Sequence, residues 1–500
     1  MLSRTTQRPD TGALRARYLG FVFSTTECGL AVRSNDGAEA YEAVPMEARA
    51  SWQGWPAHYL EHVPQMMARV LVGLRARGWS FSTPGYLSQS WRQHDLAVIG
   101  ADDAPLIPAP SWECNAAAAE ARALMRLGGF AERVGRIEPR FVIAKLPWAL
   151  RQEPLLARRI DRVMLSGDWV NGMLTGVWRL SASDALCNGL LDQRTKVLAS
   201  DVLRAAATTL DVRMDPRWFP PVVGSRDVVG RVRIRNAPAW DAVTRCLRGW
   251  RVVASLGDNQ ATAAGCGTAG HDGIVVSLGS SGTVNRPCPA SASLQGRALR
   301  FEYWNDRLLL LMLARCASWY EEFQRCYEPH RTHAELNDMA LRADFSALER
   351  LRPPRGAGRA GGLQPELNGL GPRERVASIQ CAIALELLDR VRVMLREVRR
   401  PPVPISRFVL TGGLTRAPLV RHAMRRGLDR LAPGASVMLN DRRGALAHKT
   451  DALGAVYNAM MADSGEELTA IVARHGRLRE CPPLAGRAVR GLDRFLDACA

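Results

Sequence analysis

Lysine is almost missing from this chain: of 67 basic residues, only Lys145, Lys196 and Lys449 are lysines and the rest are arginines. The formal charge of +18 would ordinarily point to nucleic acid. An arginine-for-lysine bias on this scale instead reflects gene base composition. The arginines are scattered, often beside acids as in Arg373-Glu374-Arg375, and form no basic stripe interleaved with aromatics. A dedicated nucleic-acid function is therefore not expected. Long apolar runs are also lacking, which argues against a membrane span. The eleven cysteines contain no CxxC or zinc-type spacing, so a disulfide framework is not expected and a reducing, cytoplasmic setting is. Residues 1–17 are rich in arginine and poor in acids, and are expected to form a disordered overhang.

What is present is an ordinary enzyme composition, 47% apolar and 23% charged over 500 residues, a length that favours two domains over one core. The most telling stretch is VVASLGDNQATAAGCG at Val252 to Gly267. It reads as a buried strand that stops at Gly257 and places Asp258 at the start of a small-residue helix. VVSLGSSG at Val275 to Gly282 reads as a strand entering a turn, Gly279-Ser280-Ser281-Gly282, and resuming at Thr283. A carboxylate can take a proton from an alcohol, and a turn of backbone N–H groups can cradle phosphate oxygens. Taken alone, Asp258 reads as a helix cap and the turn as an ordinary hairpin. Together they suit phosphoryl transfer.

The segment YLGFVFSTTECGLAV, Tyr18 to Val32, has the same strand–turn–strand plan, which suggests an internal duplication in which each half offers a turn to a shared ligand. Helical periodicity is expected over Trp55–Gly78, Trp112–Leu127, Phe141–Leu150, Ala157–Thr175, Val376–Val398 and Asp451–Met461. A short strand is expected at Leu96–Ile99, and further strands near Arg231–Arg235. Leu308–Phe323 reads as a hydrophobic segment turning helical, Arg352–Pro372 as a loop, and Phe408–Leu431 as strand, Thr411-Gly412-Gly413 and helix.

In order along the chain, LGFVFSTT, KLPW, SGDWVNGMLTG, SASDALCNGLLD, ASLGDNQATAAGCG, VSLGSSGT and LTGGLTRAPLVRHAM resemble the motifs of the FGGY family of carbohydrate kinases, its xylulokinases above all. The resemblance covers roughly Tyr18 to Ala462. It implies an α/β fold with two ribonuclease-H-like domains of the actin/hexokinase type and an interdomain cleft. It also implies transfer of the ATP γ-phosphate to a ketose or polyol hydroxyl, with Mg2+ as helper. The expected division is an overhang at 1–17, a sugar-binding domain at 18–267, a nucleotide-binding domain at 268–463 and a tail at 464–500. A small-molecule sugar is the expected partner, and a homodimer is compatible with this reading.

Carried over by the resemblance, Asp258 is the catalytic base and also contacts substrate. Ser24, Thr25, Thr26, Gly279, Ser280, Ser281 and Gly282 are expected to hold ATP phosphates, and Gly412 and Gly413 to flank the nucleotide. Arg416 either contacts nucleotide or is solvated. His94, Trp112, Glu113 and Asn115 are expected on the sugar side. The chain also departs from the family. Val22 stands where an acid helps hold magnesium, and Ser24 replaces a glycine of that hairpin. The W-x-D-x-R motif becomes Trp112-Glu113-Cys114-Asn115-Ala116, the G-E-R-T-P segment is missing from Arg352–Pro372, and Leu414 takes the place of a third glycine. Two readings follow: an altered kinase, or a kinase-fold protein that binds sugar or nucleotide in a regulatory role.

Overall fold

Phe21 and Phe23 project from one face of the strand Tyr18–Phe23 and Val22 from the other, and all three are buried. A strand buried on both faces belongs in the middle of a covered sheet, and that is its position. A computed structural model of the chain describes residues 13–234, 237–345, 367, 369–442, 444–484, 491–494 and 496. It divides into two units, one of residues 1–258 with 455–466, the other of residues 259–454 with 467–500.

In the first unit the sheet runs Val228–Arg231, Arg251–Val253, Tyr86–Trp91, Tyr18–Phe23, Glu27–Arg33, Glu39–Pro45, with Leu256–Gly257 also pairing to Tyr86–Trp91. The first three strands in chain order, starting at Tyr18, are antiparallel neighbours; Tyr86–Trp91 and Arg251–Val253 then lie parallel on the other side. The helix Val63–Ala76 buries Val63, Met67, Val70 and Leu74, spaced to share one face, and packs on the outer strands of the hairpin.

The second unit repeats the centre of this arrangement, a hairpin with a parallel strand beside its first arm. Its sheet is Leu299–Tyr303, Asp306–Leu313, Gly282–Cys288, Gly273–Leu278, Arg407–Thr411, Ser436–Asn440, Leu478–Glu480. Gly273–Leu278 pairs antiparallel with Gly282–Cys288 and parallel with Arg407–Thr411. The helix Pro372–Glu397 covers this sheet, and buried Arg286 donates to the Met394 and Leu395 carbonyls near its C-terminus, where a cation suits the helix dipole. Both units have the ribonuclease-H-like strand order of actin/hexokinase-type domains.

Several elements differ from expectation. Within the stretch expected as an overhang, Leu14–Arg15 pairs with Trp79–Ser80, while residues 1–12 lie outside the described residues. Trp55–His58 is a strand paired with Arg49–Trp52, so the helix there begins only at Val63. Ala157–Thr175 contains the strand Arg162–Leu165, antiparallel to Leu96–Ile99, before the helix Ser166–Thr175. The apolar run RVML fits either period, and its cross-strand partner decides. The helix expected from Trp112 starts at Ala118, and Leu308–Phe323 splits into the strand Asp306–Leu313 and the helix Ala317–Tyr327. After Asp463, Leu468–His475 is helical and Leu478–Glu480 adds an edge strand to the second sheet. Most of the Arg352–Pro372 stretch lies outside the described residues. Among the described residues no helix is long and apolar enough to cross a membrane.

Candidate functional site

The strand Arg251–Val253 and the short segment Leu256–Gly257 deliver Asp258 to the first turn of the helix Asp258–Gly265, where it is half-buried. The preceding loop is fixed by side chains. Ser255 Oγ donates to Asp168 Oδ1 (2.6 Å), the Ser181 N–H donates to Asp168 Oδ2 (2.9 Å), and Ser181 Oγ donates to the Ser255 carbonyl (2.5 Å). The Gly257 N–H donates to Ser183 Oγ (3.1 Å). Burial pushes Asp168 up to about 7, opposed by those two hydrogen bonds. Arg92, Asp184 and Cys187 all feel the charge of Asp258.

The end of the strand Tyr86–Trp91 runs into the wholly buried segment Arg92-Gln93-His94-Asp95. Arg92 Nε (2.9 Å) and Trp91 Nε1 (3.0 Å) both donate to Asp95 Oδ2, and Arg92 Nη1 donates to the Ser24 carbonyl (2.8 Å). Lys145, also buried, donates to the carbonyls of His94, Pro110 (2.8 Å) and Ser111 (3.0 Å). Burial pulls its ammonium down to about 8. The lysine thus ties the His94 loop to the loop that leads into Trp112.

The predicted residues of this unit fall into two groups. Thr25 and Trp112 meet: Trp112 Nε1 donates to Thr25 Oγ1 (3.2 Å), and Arg49 Nη2 donates to the Thr25 carbonyl (2.8 Å). Glu113 and Asn115 are exposed beside them, whereas His94 is buried with its backbone in the left-handed region (φ 74°). Ser24 Oγ is engaged by its own turn, accepting from the Glu27 N–H (3.1 Å). Sequence reasoning did not single out Arg92, Asp168, Asp184 or Asn188; for Arg92 the run of polar residues just after a strand was the available signal.

In the second unit two predicted segments far apart in sequence lie side by side. Gly412 has φ 92°, and a Cβ there would sit 2.6–2.8 Å from the Leu278 carbonyl and the Gly279 nitrogen. Only glycine lets the turn after Arg407–Thr411 lie against the turn after Gly273–Leu278. The latter turn is anchored by its carbonyls: Gly279 accepts from the Ala317 N–H (2.9 Å), and Ser280 from the Cys316 N–H (3.0 Å) and Ser318 Oγ (2.9 Å). It therefore rests on the N-terminus of the helix Ala317–Tyr327, the end that favours anions. Ser280 is exposed, and open space surrounds the position a Gly413 Cβ would take. Arg416 is exposed, and His448 lies beside the turn, its Nδ1 3.5 Å from Thr415 Oγ1. Burial first, then Arg416 and Lys449, hold the His448 imidazole below its usual range.

These residues suit a polyphosphate: backbone turns, an open glycine and nearby cations. They do not suit magnesium at the first hairpin. Val22 is 1% exposed and purely hydrocarbon, and magnesium takes oxygen ligands.

Residues 31–265 match the N-terminal domain of the FGGY family of carbohydrate kinases. The chain is 31% identical over 223 residues to xylulose kinase from Streptomyces coelicolor, a match covering 42% of this chain and 44% of that protein. The chain thus spans less than half the length of that relative. Beyond the matched segment the likeness is one of fold. A ligand-bound xylulose kinase from Lactobacillus acidophilus superposes with a TM-score of 0.77 at 14% identity, covering 97% of both chains. Xylulose kinase from Rhodospirillum rubrum gives 0.72 at 20% identity, covering 96% of this chain and 97% of that one.

Proposed function

We propose that this protein is a sugar kinase of the FGGY type, transferring the ATP γ-phosphate to a hydroxyl of a ketose or polyol such as xylulose. The observation that carries the reading is the contact between Gly412 and the Leu278–Gly279 backbone, which joins two motifs otherwise separated by more than a hundred residues into one glycine-lined nucleotide cradle. Asp258 is the base that takes the hydroxyl proton as the oxygen meets phosphorus. The turn Gly279–Gly282 receives phosphate oxygens on backbone N–H groups, Gly412 and Gly413 admit the adenosine side, and Arg416 with Lys449 adds positive charge. On the sugar side, Trp112, Glu113 and Asn115 face the substrate, with Thr25 held against Trp112, whereas buried His94 supports the neighbouring loop through its carbonyl, held by Lys145. Magnesium would neutralise phosphate charge, but Val22 offers it no oxygen ligand. The cytoplasm is the setting this reading gives.

A second reading has its own support. The first hairpin spends its polar groups internally: Ser24 Oγ on Glu27, the Ser24 carbonyl on Arg92, and Thr25 on Arg49 and Trp112. Such a chain would bind nucleotide or sugar in a regulatory role without turnover.

The discriminating experiment is an ADP-release screen over pentuloses, hexuloses and polyols, followed by Asp258→Asn. A kinase shows sugar-dependent ADP release that falls at least about a thousandfold in the variant, in line with loss of a general base, while nucleotide binding persists. Full activity of Asp258→Asn would remove the base assignment. Binding without turnover on every sugar would establish the second reading.

A further inference from the structure

His94, Asp184 and Cys187 each offer a ligand atom, and the three atoms lie within 4.8 Å of one another. All three side chains are buried, at 5%, 3% and 3% exposure. They arrive from two places: His94 from the loop after Tyr86–Trp91, Asp184 and Cys187 from the helix Ala182–Cys187. We propose that these residues form a site for a zinc-class divalent cation, bound through one nitrogen, one oxygen and one sulfur.

The surroundings orient the ligands as a metal site requires. Asn188 Oδ1 accepts from the Val142 backbone N–H (3.0 Å), which fixes the amide so that its oxygen faces His94. The same oxygen lies 3.1 Å from His94 Nδ1. An oxygen cannot donate, so Nδ1 carries the hydrogen and the lone pair is on Nε2. Asn188 Nδ2 donates to Asp184 Oδ1 (3.0 Å), so one amide aligns two ligands. Gln93 Nε2 donates to Cys187 Sγ (3.4 Å), while the Cys187 thiol donates to the Asp184 carbonyl (3.0 Å) and Oδ1 (3.4 Å), so a bound ion would take the place of the thiol proton, which is released. Phe141 stacks on the His94 ring at 4.7 Å and shields it. Second-layer partners of this type set ligand orientation and basicity in metal centres.

The donor set selects the ion. Thiolate and imidazole favour zinc over magnesium or calcium, which want oxygen alone. Three protein ligands leave the fourth tetrahedral position to water or another oxygen donor. Asp258 is electrostatically coupled to Asp184 and Cys187, so an ion here would also bear on that carboxylate. The proposal does not rest on kinase activity.

The test uses the purified full-length chain, stripped with a chelator and reloaded with zinc or cobalt. About one zinc per chain should be retained after desalting, and cobalt should show the intense visible bands of tetrahedral geometry with a thiolate charge-transfer band. Cys187→Ser should abolish that charge-transfer band. His94→Gln and Asp184→Asn should each weaken retention at least tenfold, and Asn188→Leu, acting through the ligands, about ten- to a hundredfold. Cys326→Ser, at an exposed cysteine of the other unit, should change nothing. Wild-type protein that retains no zinc and gives only the weak octahedral cobalt spectrum overturns the proposal. So does undiminished metal in Cys187→Ser. Should the variants lose their circular dichroism, the cobalt spectrum of the wild-type chain decides alone.

Discussion

His58 sits at the end of the strand Trp55–His58, 2% exposed, with its Nδ1 3.7 Å from Asp95 Oδ2. Burial, reinforced by Arg92, Arg49 and Lys145, holds its imidazole far below the usual range, so it is neutral in the folded protein. An unfolded chain protonates a histidine near pH 6.5. Below that pH the unfolded state binds a proton that the folded state refuses, and stability declines as pH falls, by up to about 1.4 kcal/mol per pH unit from this group. Above pH 6.5 the contribution is flat. His58→Asn lacks the proton, so the stability gap between wild type and variant should narrow steadily in urea melts at pH 7, 6 and 5. A gap that stays constant would show that His58 titrates normally in the fold. At this scale the sequence was least legible. Asp258 could be picked out because a strand end and a helix start bracket it. Arg92, Asp168 and Lys145 could not, because what fixes them in place is a set of backbone and hydroxyl groups from distant loops, and no local pattern encodes those.

Elements that carry the site are locked by close backbone approaches. The helix Asp258–Gly265 meets the start of Thr450–Ser464 with no room for side chains: a Cβ on Gly265 would lie 1.7 Å from the Thr450 carbonyl oxygen, and one on Gly454 would lie 1.9 Å from that of Ala261. Backbone atoms cannot swing aside as a side-chain tip can, so the helices must separate to admit even one methyl. Gly454→Ala is therefore expected to cost about 1–3 kcal/mol, the usual range for overpacking. Gly128→Ala, where open space surrounds the new methyl, should stay within about 0.5 kcal/mol. Denaturant midpoints measure both, and equal effects would refute the contact. Elements were legible where the hydrophobic period was sustained, as in Pro372–Glu397, or where turn chemistry punctuated it, as in both glycine- and serine-containing hairpins. Arg162–Leu165 was misread because four apolar-leaning residues between two helical stretches carry no period of their own, and only pairing with Leu96–Ile99 makes them a strand.

For the molecule as a whole, each unit carries a strand that enters a glycine- or serine-bearing turn, but the two turns use their polar groups differently. In the second, the turn Gly279–Gly282 rests on a helix N-terminus with Ser280 exposed, and Gly413 has open space around it. In the first, Ser24 and Thr25 have become internal fasteners and Val22 is core. The repeated hairpin was visible in sequence because hairpins are local; this asymmetry was not, because it depends on what Arg49, Arg92 and Trp112 bring to the turn. It leads to a directional expectation for amide hydrogen exchange. A non-hydrolysed ATP analogue should slow exchange around residues 279–282, 316–318 and 411–416, and leave residues 23–27 little changed. Asp258→Asn should reproduce that pattern if, as proposed, the carboxylate acts on the sugar hydroxyl and not on the nucleotide. Gly412→Ala should erase it, because its methyl would strike the Leu278 carbonyl and push the two turns apart. Protection confined to the first hairpin would mean that nucleotide is held by the copy whose polar groups are already spent, and the division of labour drawn here would have to be reversed.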